Sequence, residues 1–116
     1  MPENKRAVGG EKERQAGRYL EEQGYMILEY NYRTRMAEAD LVCRDGDTYV
    51  FVEVKYRKSR AYGHPLEAVN RAKQNRIHMA ALYYLEDHGL IPSLTPVRFD
   101  VIGILGEEMT LIKDAF

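Results

Sequence analysis

The sequence predicts an α/β domain built on a mixed β-sheet, with elements in the order α-β-β-β-α-β-β. Three observations predict it. Residues 38–57 place strand-forming residues on both sides of Asp45-Gly46-Asp47, the pattern of a β-hairpin. Residues 66–88 carry an apolar stripe at helical spacing. Residues 97–105 read as a strand that is almost continuously apolar after Asp100, as expected of one covered on both faces. A strand, a long helix and a further strand in succession predict a right-handed crossover, with the last core strand parallel to the third.

Taken in order, residues 1–7 have the polar character of a frayed terminus. A helix is expected over residues 8–23, with Val8, Lys12, Ala16 and Leu20 at i, i+4 spacing and Gly24 placed as a cap. Glu11 lies on the shoulder of that stripe and points either at a neighbouring site or into solvent. Residues 25–34 follow as a strand, with Met26, Leu28, Tyr30 and Tyr32 on one face and Tyr25 and Ile27 on the other. After the hairpin, residues 58–65 are rich in turn formers. The second helix is expected from Leu66 to His88, with Pro65 at its first turn and Gly89 closing it. Lys73 falls inside its apolar stripe, about 40° from both Val69 and Ile77. It must find an anion, whether a carboxylate or a bound phosphate, or lay its stem over the core edge. A short last strand covers residues 109–112.

The chain has 116 residues, which predicts a single domain, 1–116. Its single cysteine, Cys43, excludes an internal disulfide and a thiolate zinc site, and its strand position suits apolar filling. No apolar run suggests a membrane span, so no membrane partner is expected and a cytoplasmic setting follows by default. Net charge is −1, yet residues 33–76 hold ten Lys and Arg against six Asp and Glu. A basic block on an acidic body is compatible with a phosphate-binding surface, and also with a solvated surface of mixed sign. His64, His78 and His88 lack metal-ligand spacing, and no serine or cysteine has the context of a nucleophile.

The hairpin carries the chemistry. On its second strand Tyr49, Phe51, Glu53, Lys55 and Arg57 share one face, and Val50, Val52, Val54 and Tyr56 the other. Glu38 and Asp40 share a face of the first strand. A two-residue Asp-Gly loop, or a four-residue loop over Asp45 to Thr48, brings Asp40 opposite or diagonal to Glu53; a three-residue loop separates them. Paired carboxylates repel and ask for a counterion, and oxygen ligands suit a hard cation such as Mg²⁺. The plain alternative is a surface ion pair between Glu53 and Lys55.

A helical Glu, then an Asp, then Glu-x-Lys on the next strand resembles the PD-(D/E)xK nuclease superfamily. Gly10-Glu11, Tyr19-Leu20, Gly24-Tyr25, Asn31-Tyr32-Arg33, Glu38-Ala39-Asp40-Leu41-Val42, Phe51-Val52-Glu53-Val54-Lys55, Arg98-Phe99-Asp100-Val101 and Ala115-Phe116 are similar, nearly end to end, to the YraN family of small bacterial proteins. That family is related to archaeal Holliday-junction resolvases. Ala37 and Ala39 depart from its usual glycine and larger aliphatic residue. The resemblance implies a three-layer restriction-endonuclease-like fold and a nuclease acting on DNA, with branched structures as candidate substrates. It implies Mg²⁺ or Mn²⁺ on Asp40, Glu53 and the carbonyl of Val54, with Glu38 as a supplementary ligand. Lys55 would orient the attacking water, and Glu11 would be a further catalytic carboxylate. Arg33, Arg35, Arg57, Lys58, Arg60, Arg71 and Lys73 would meet the nucleic-acid backbone, while Tyr56 and Tyr62 are candidates for base stacking. Resolvase relatives imply a homodimer. The rival expectations are a nucleic-acid-binding protein with a nuclease fold and no useful turnover, and an interaction module for a protein partner.

Overall fold

The computed structural model describes residues 5–59, 61 and 69–116, with side chains from Gly10 onward. Helix α1 spans Lys5–Glu22. Strands β1 (Met26–Arg33), β2 (Glu38–Asp45) and β3 (Thr48–Arg57) follow, then helix α2 (Arg71–Asp87). A short 3₁₀ turn (Pro92–Leu94) leads into β4 (Val97–Leu105) and β5 (Glu108–Ile112). The five strands form one sheet in chain order. Every pairing is antiparallel except β3 with β4, whose parallel register needs a crossover that the intervening helix supplies.

The sheet is covered on both faces, giving three layers. On one face Ile77, Ala80, Ala81, Tyr84 and Leu85 of α2 pack on Phe51, Val42, Ala37 and Ala39. On the other, Ala16 and Leu20 of α1 pack on Leu41, Cys43, Val50, Val52, Ile102 and Ile104. The split follows the period of two on β3: Tyr49 and Phe51 join the α2 core, and Val50, Val52, Val54 and Tyr56 the α1 core. Phe51 is fully buried and packs edge-on to Tyr84, with ring centroids 5.7 Å apart. Gly17 lets α1 lie close to the sheet, because a Cβ there would overlap the hydroxyl of Tyr30.

Three expectations need correction. The single-faced stripe on β1 is broken: Leu28 and Tyr32 join the α2 core, Ile27 and Tyr30 the α1 core, and Met26 is exposed. A register shift between Ile27 and Glu29 and a positive φ of 57° at Asn31 turn the strand over. Helix α2 begins at Arg71, with residues 69 and 70 non-helical, and the expected start at Leu66 lies outside the described residues, as do Arg60 and Tyr62. Asn70 is extended (φ −82°, ψ 175°) and its side chain accepts from the Lys73 amide, so the N-cap decides where the helix starts. Helix α1 starts earlier than expected, at Lys5.

Candidate functional site

The hairpin turn is the pair Gly46-Asp47, with Gly46 at φ 61°. Asp45 pairs with Thr48, Arg44 with Tyr49 and Leu41 with Val52. This is the register of the predicted four-residue loop, tightened by one further pair, and it sets Asp40 opposite Glu53. The recorded ladder ends at Leu41, where β2 and β3 part. Into the gap Asp40 turns its carboxylate, and Oδ2 accepts the Val54 amide at 2.8 Å. A strand residue points its N–H and C=O to the same side, so the Val54 carbonyl faces this gap too. Alternation along β2 breaks at Asp40, since Ala37, Ala39 and Val42 serve the α2 core while Leu41 and Cys43 serve the α1 core.

Glu53 is 1% exposed, which removes the surface ion-pair alternative. Burial, and then the charge of Asp40, push its carboxyl up from the usual range. Its Oε1 meets two ammonium groups, Lys55 Nζ and Lys73 Nζ, each at 3.4 Å. Its Oε2 is buried with no hydrogen-bond partner. Lys55 is a fifth exposed, so its ammonium reaches both Glu53 and solvent.

The α1 carboxylate at this site is Glu13, not Glu11. Glu11 is exposed, and two residues along a helix turn the side chain by about 200°. Burial, followed by the charge of Asp40, pushes Glu13 up to about 7. Asp40 is therefore approached by Glu13 from the α1 layer and by Glu53 from the α2 layer. The periodicity already held this signal: Glu13 stands three residues before Ala16 and seven before Leu20, which are both fully buried.

Glu38 has a different setting from the other carboxylates. Its Oε1 accepts from Lys73 Nζ at 2.8 Å, and its Oε2 lies 3.8 Å from Arg76 and 3.9 Å from Arg33. The bond from Lys73 holds its carboxyl below the usual range, against the opposing effect of burial. The lysine in the apolar stripe has found an anion, and in fact two. Burial alone would lower the Lys73 pKa, but its bond to Glu38 and the charges of Glu53, Glu38 and Asp40 outweigh this and raise it. Arg76, which the sequence reading does not single out, stands one turn beyond Lys73 on the same helix face.

The remaining cations border this cluster or lie apart from it. Arg33 is exposed and bonds Asn31, and Arg35, Lys58 and Arg71 are exposed. Arg57 is half-buried and donates to the Tyr56 carbonyl at 3.0 Å. Tyr56 packs in the α1 layer with Lys12 Nζ 4.4 Å above its ring, which engages the face offered for base stacking.

Among the described residues, no three carboxylate, imidazole or thiol groups converge closely enough to cage a metal ion by themselves. The donors fit an ion that needs less. Mg²⁺ binds through one or two carboxylates and keeps several waters. Asp40, the orphaned Oε2 of Glu53 and the Val54 carbonyl are hard oxygens of that kind.

Fold and site together define an α/β protein with a five-stranded mixed sheet between two helices, carrying a buried acidic–lysine cluster where β2 and β3 separate. The model of the Uncharacterised protein family UPF0102 matches residues 12–104, and the chain belongs to that family, also called YraN. It is 51% identical over 113 residues to a UPF0102 protein of Lachnoclostridium phytofermentans, covering 97% of this chain and 95% of that one. A UPF0102 protein of Syntrophus aciditrophicus is 50% identical over 108 residues, 90% of this chain and 84% of the relative. One of Colwellia psychrerythraea is 43% identical over 105 residues, 87% and 81% of the two chains. Among the described residues no helix is long and apolar enough to cross a membrane.

Proposed function

We propose that the protein is a divalent-metal-dependent nuclease that hydrolyses DNA phosphodiester bonds, with branched or junction structures as candidate substrates. The observation that carries this reading is the buried, unpartnered Oε2 of Glu53, beside Asp40 and flanked by the Lys55 ammonium. A buried carboxylate oxygen without a donor is costly unless a ligand completes it. Mg²⁺ or Mn²⁺ on Asp40, Glu53 and the Val54 carbonyl would lower the pKa of a bound water and neutralise charge developing on the phosphoryl oxygens. Asp40 is oriented for this by the Val54 amide. Lys55 holds Glu53 and offers its remaining donors to the attacking water and the phosphate. Arg33, Arg35, Arg57, Lys58, Arg60 and Arg71 would hold the nucleic-acid backbone, a contribution that weakens with salt and carries no sequence information. A homodimer and a cytoplasmic setting belong to this proposal. The likeness to PD-(D/E)xK nucleases in element order and in Asp40, Glu53 and Lys55 supports it.

A second reading, a nucleic-acid-binding protein without useful turnover, is favoured by the two lysines already on Glu53 and by the lack of three converging ligands among the described residues. Incubation with Mn²⁺ and linear, flapped and four-way DNA separates the two. The nuclease cuts at least one of these, and Glu53→Ala and Lys55→Ala abolish the product. Salt-sensitive binding that survives Glu53→Ala and yields no product establishes the second reading. Equal traces of cleavage by wild type and Lys55→Ala mark a contaminant and end the enzyme reading.

A further inference from the structure

Lys73 stands in the first turn of α2, its amide fixed by Asn70 Oδ1 at 2.9 Å. From that anchored backbone its side chain, about a quarter exposed, reaches two acids on the sheet. The contact to Glu38 is short, 2.8 Å, and the contact to Glu53 is longer, 3.4 Å. Lys55 crowds the same oxygen of Glu53, while the other oxygen has no partner. A doubly charged ion on Glu53 would share that carboxylate with the Lys73 ammonium, and like charges on one carboxylate repel in a partly buried site. Glu38, further out and also near Arg76 and Arg33, offers that ammonium a place to stay.

We propose that Lys73 is the resident counterion of the site: it holds Glu53 while no divalent ion is bound, and pivots on Glu38 away from Glu53 when one arrives. The inference rests on the metal-dependent reading above. An ammonium on a flexible four-carbon stem suits the exchange, because it turns without moving the helix and loses only its longer contact. Glu38 is then the anchor of Lys73 and not a metal ligand. Its effect on the ion is indirect, through the position of Lys73.

Titration of the full chain with Mn²⁺, followed by calorimetry and by the electron paramagnetic resonance of free Mn²⁺, tests this without any DNA. Lys73→Gln binds Mn²⁺ about tenfold more tightly than wild type, about 1.4 kcal/mol, and Lys73→Arg stays near wild type. Glu38→Gln weakens binding in the wild-type background and changes nothing in the Lys73→Gln background, since its effect passes through Lys73. An equal loss in both backgrounds makes Glu38 a direct ligand and overturns the exchange. Equal affinities of wild type and Lys73→Gln also overturn it, and leave the metal site standing. No Mn²⁺ binding in any of these proteins overturns the metal-dependent reading and the exchange with it. Should Lys73→Gln fail to fold, the side-chain ¹⁵Nζ resonance of Lys73 in wild type decides. It shifts with one equivalent of Mg²⁺ if the ammonium moves, and a static signal alongside Mg²⁺ binding overturns the proposal.

Discussion

The sheet buries two clusters of charge, and they are finished differently. At Asp100, on β4, every acceptor is used. Its carboxylate takes the Tyr25 hydroxyl at 2.8 Å, two guanidinium nitrogens of Arg98 at 2.9 Å each and the Asp114 amide at 3.0 Å. Arg98 also bonds Asp45 at 3.0 Å. That network ties the residue preceding β1, the edge of the hairpin turn, β4 and the C-terminal segment together, with Asp100 fully buried. At Glu53 one oxygen meets two ammonium groups and the other, beside the Asp40 carboxylate, has no hydrogen-bond partner. Saturation is what a structural ion pair needs to offset its desolvation. The acid left incomplete in the same sheet lacks that compensation, and it is the feature on which the metal-dependent proposal rests.

The largest effect expected from breaking this contrast falls on the saturated cluster. Asp100→Ala leaves Arg98 and Tyr25 without their buried acceptor and costs about 3–5 kcal/mol in denaturant unfolding. Glu53→Gln, by contrast, removes a charge disfavoured by burial and by Asp40. Without metal its Tm at pH 8 is equal to wild type or higher, while stabilisation by added Mn²⁺ disappears. A loss as large as that of Asp100→Ala would make the two clusters alike.

A smaller effect appears with pH. Glu13 has a folded-state pKa of about 7, above its unfolded value. Its contribution is therefore full below pH 4.5 and is lost as pH rises toward and through 7, because the unfolded chain ionises first. Thermal melts of wild type fall across that window, and Glu13→Gln flattens the slope and raises Tm at pH 8. A slope unchanged in Glu13→Gln would show that Glu13 is not held against Asp40. The smallest effect concerns the rim. Lys58→Ala weakens DNA binding modestly on all sequences and lowers the salt slope by about 1, read by fluorescence anisotropy at several salt concentrations.

The legible parts were those governed by short-range periodicity. Facing residues on β3 follow from a period of two, and the bounds of β4 from Pro96 before it and a nearly apolar stretch after Asp100. The pairing of Asp40 with Glu53 followed once the turn was placed. Spacing alone runs the α1 stripe through Val8, Lys12, Ala16 and Leu20, whereas packing runs through Glu13, Ala16 and Leu20; a carboxylate on a buried stripe makes no sense until its partner is known. Lys73 was legible as a problem without its solution. Glu38 and Glu53 reach it only through the crossover, and no spacing along the chain encodes that. Arg98 and Asp100 stood in the family-like motif without a role, because their partners Tyr25, Asp45 and Asp114 are remote in sequence. The break in β1 has one signal in the sequence, Asn31, since asparagine reaches positive φ more readily than other non-glycine residues, but the alternation around it reads as an unbroken strand.

The sequential strand order has a consequence for how the protein comes into being. Asp40 and Glu53 lie on adjacent strands joined by a tight turn, so their encounter closes only a short loop, whereas α2 must swing across β3 before Lys73 can reach them. Loop-closure entropy thus favours setting the two acids side by side before their lysine is at hand, and refolding accelerated by Mg²⁺ beyond the effect of matched ionic strength would be the kinetic trace of that order.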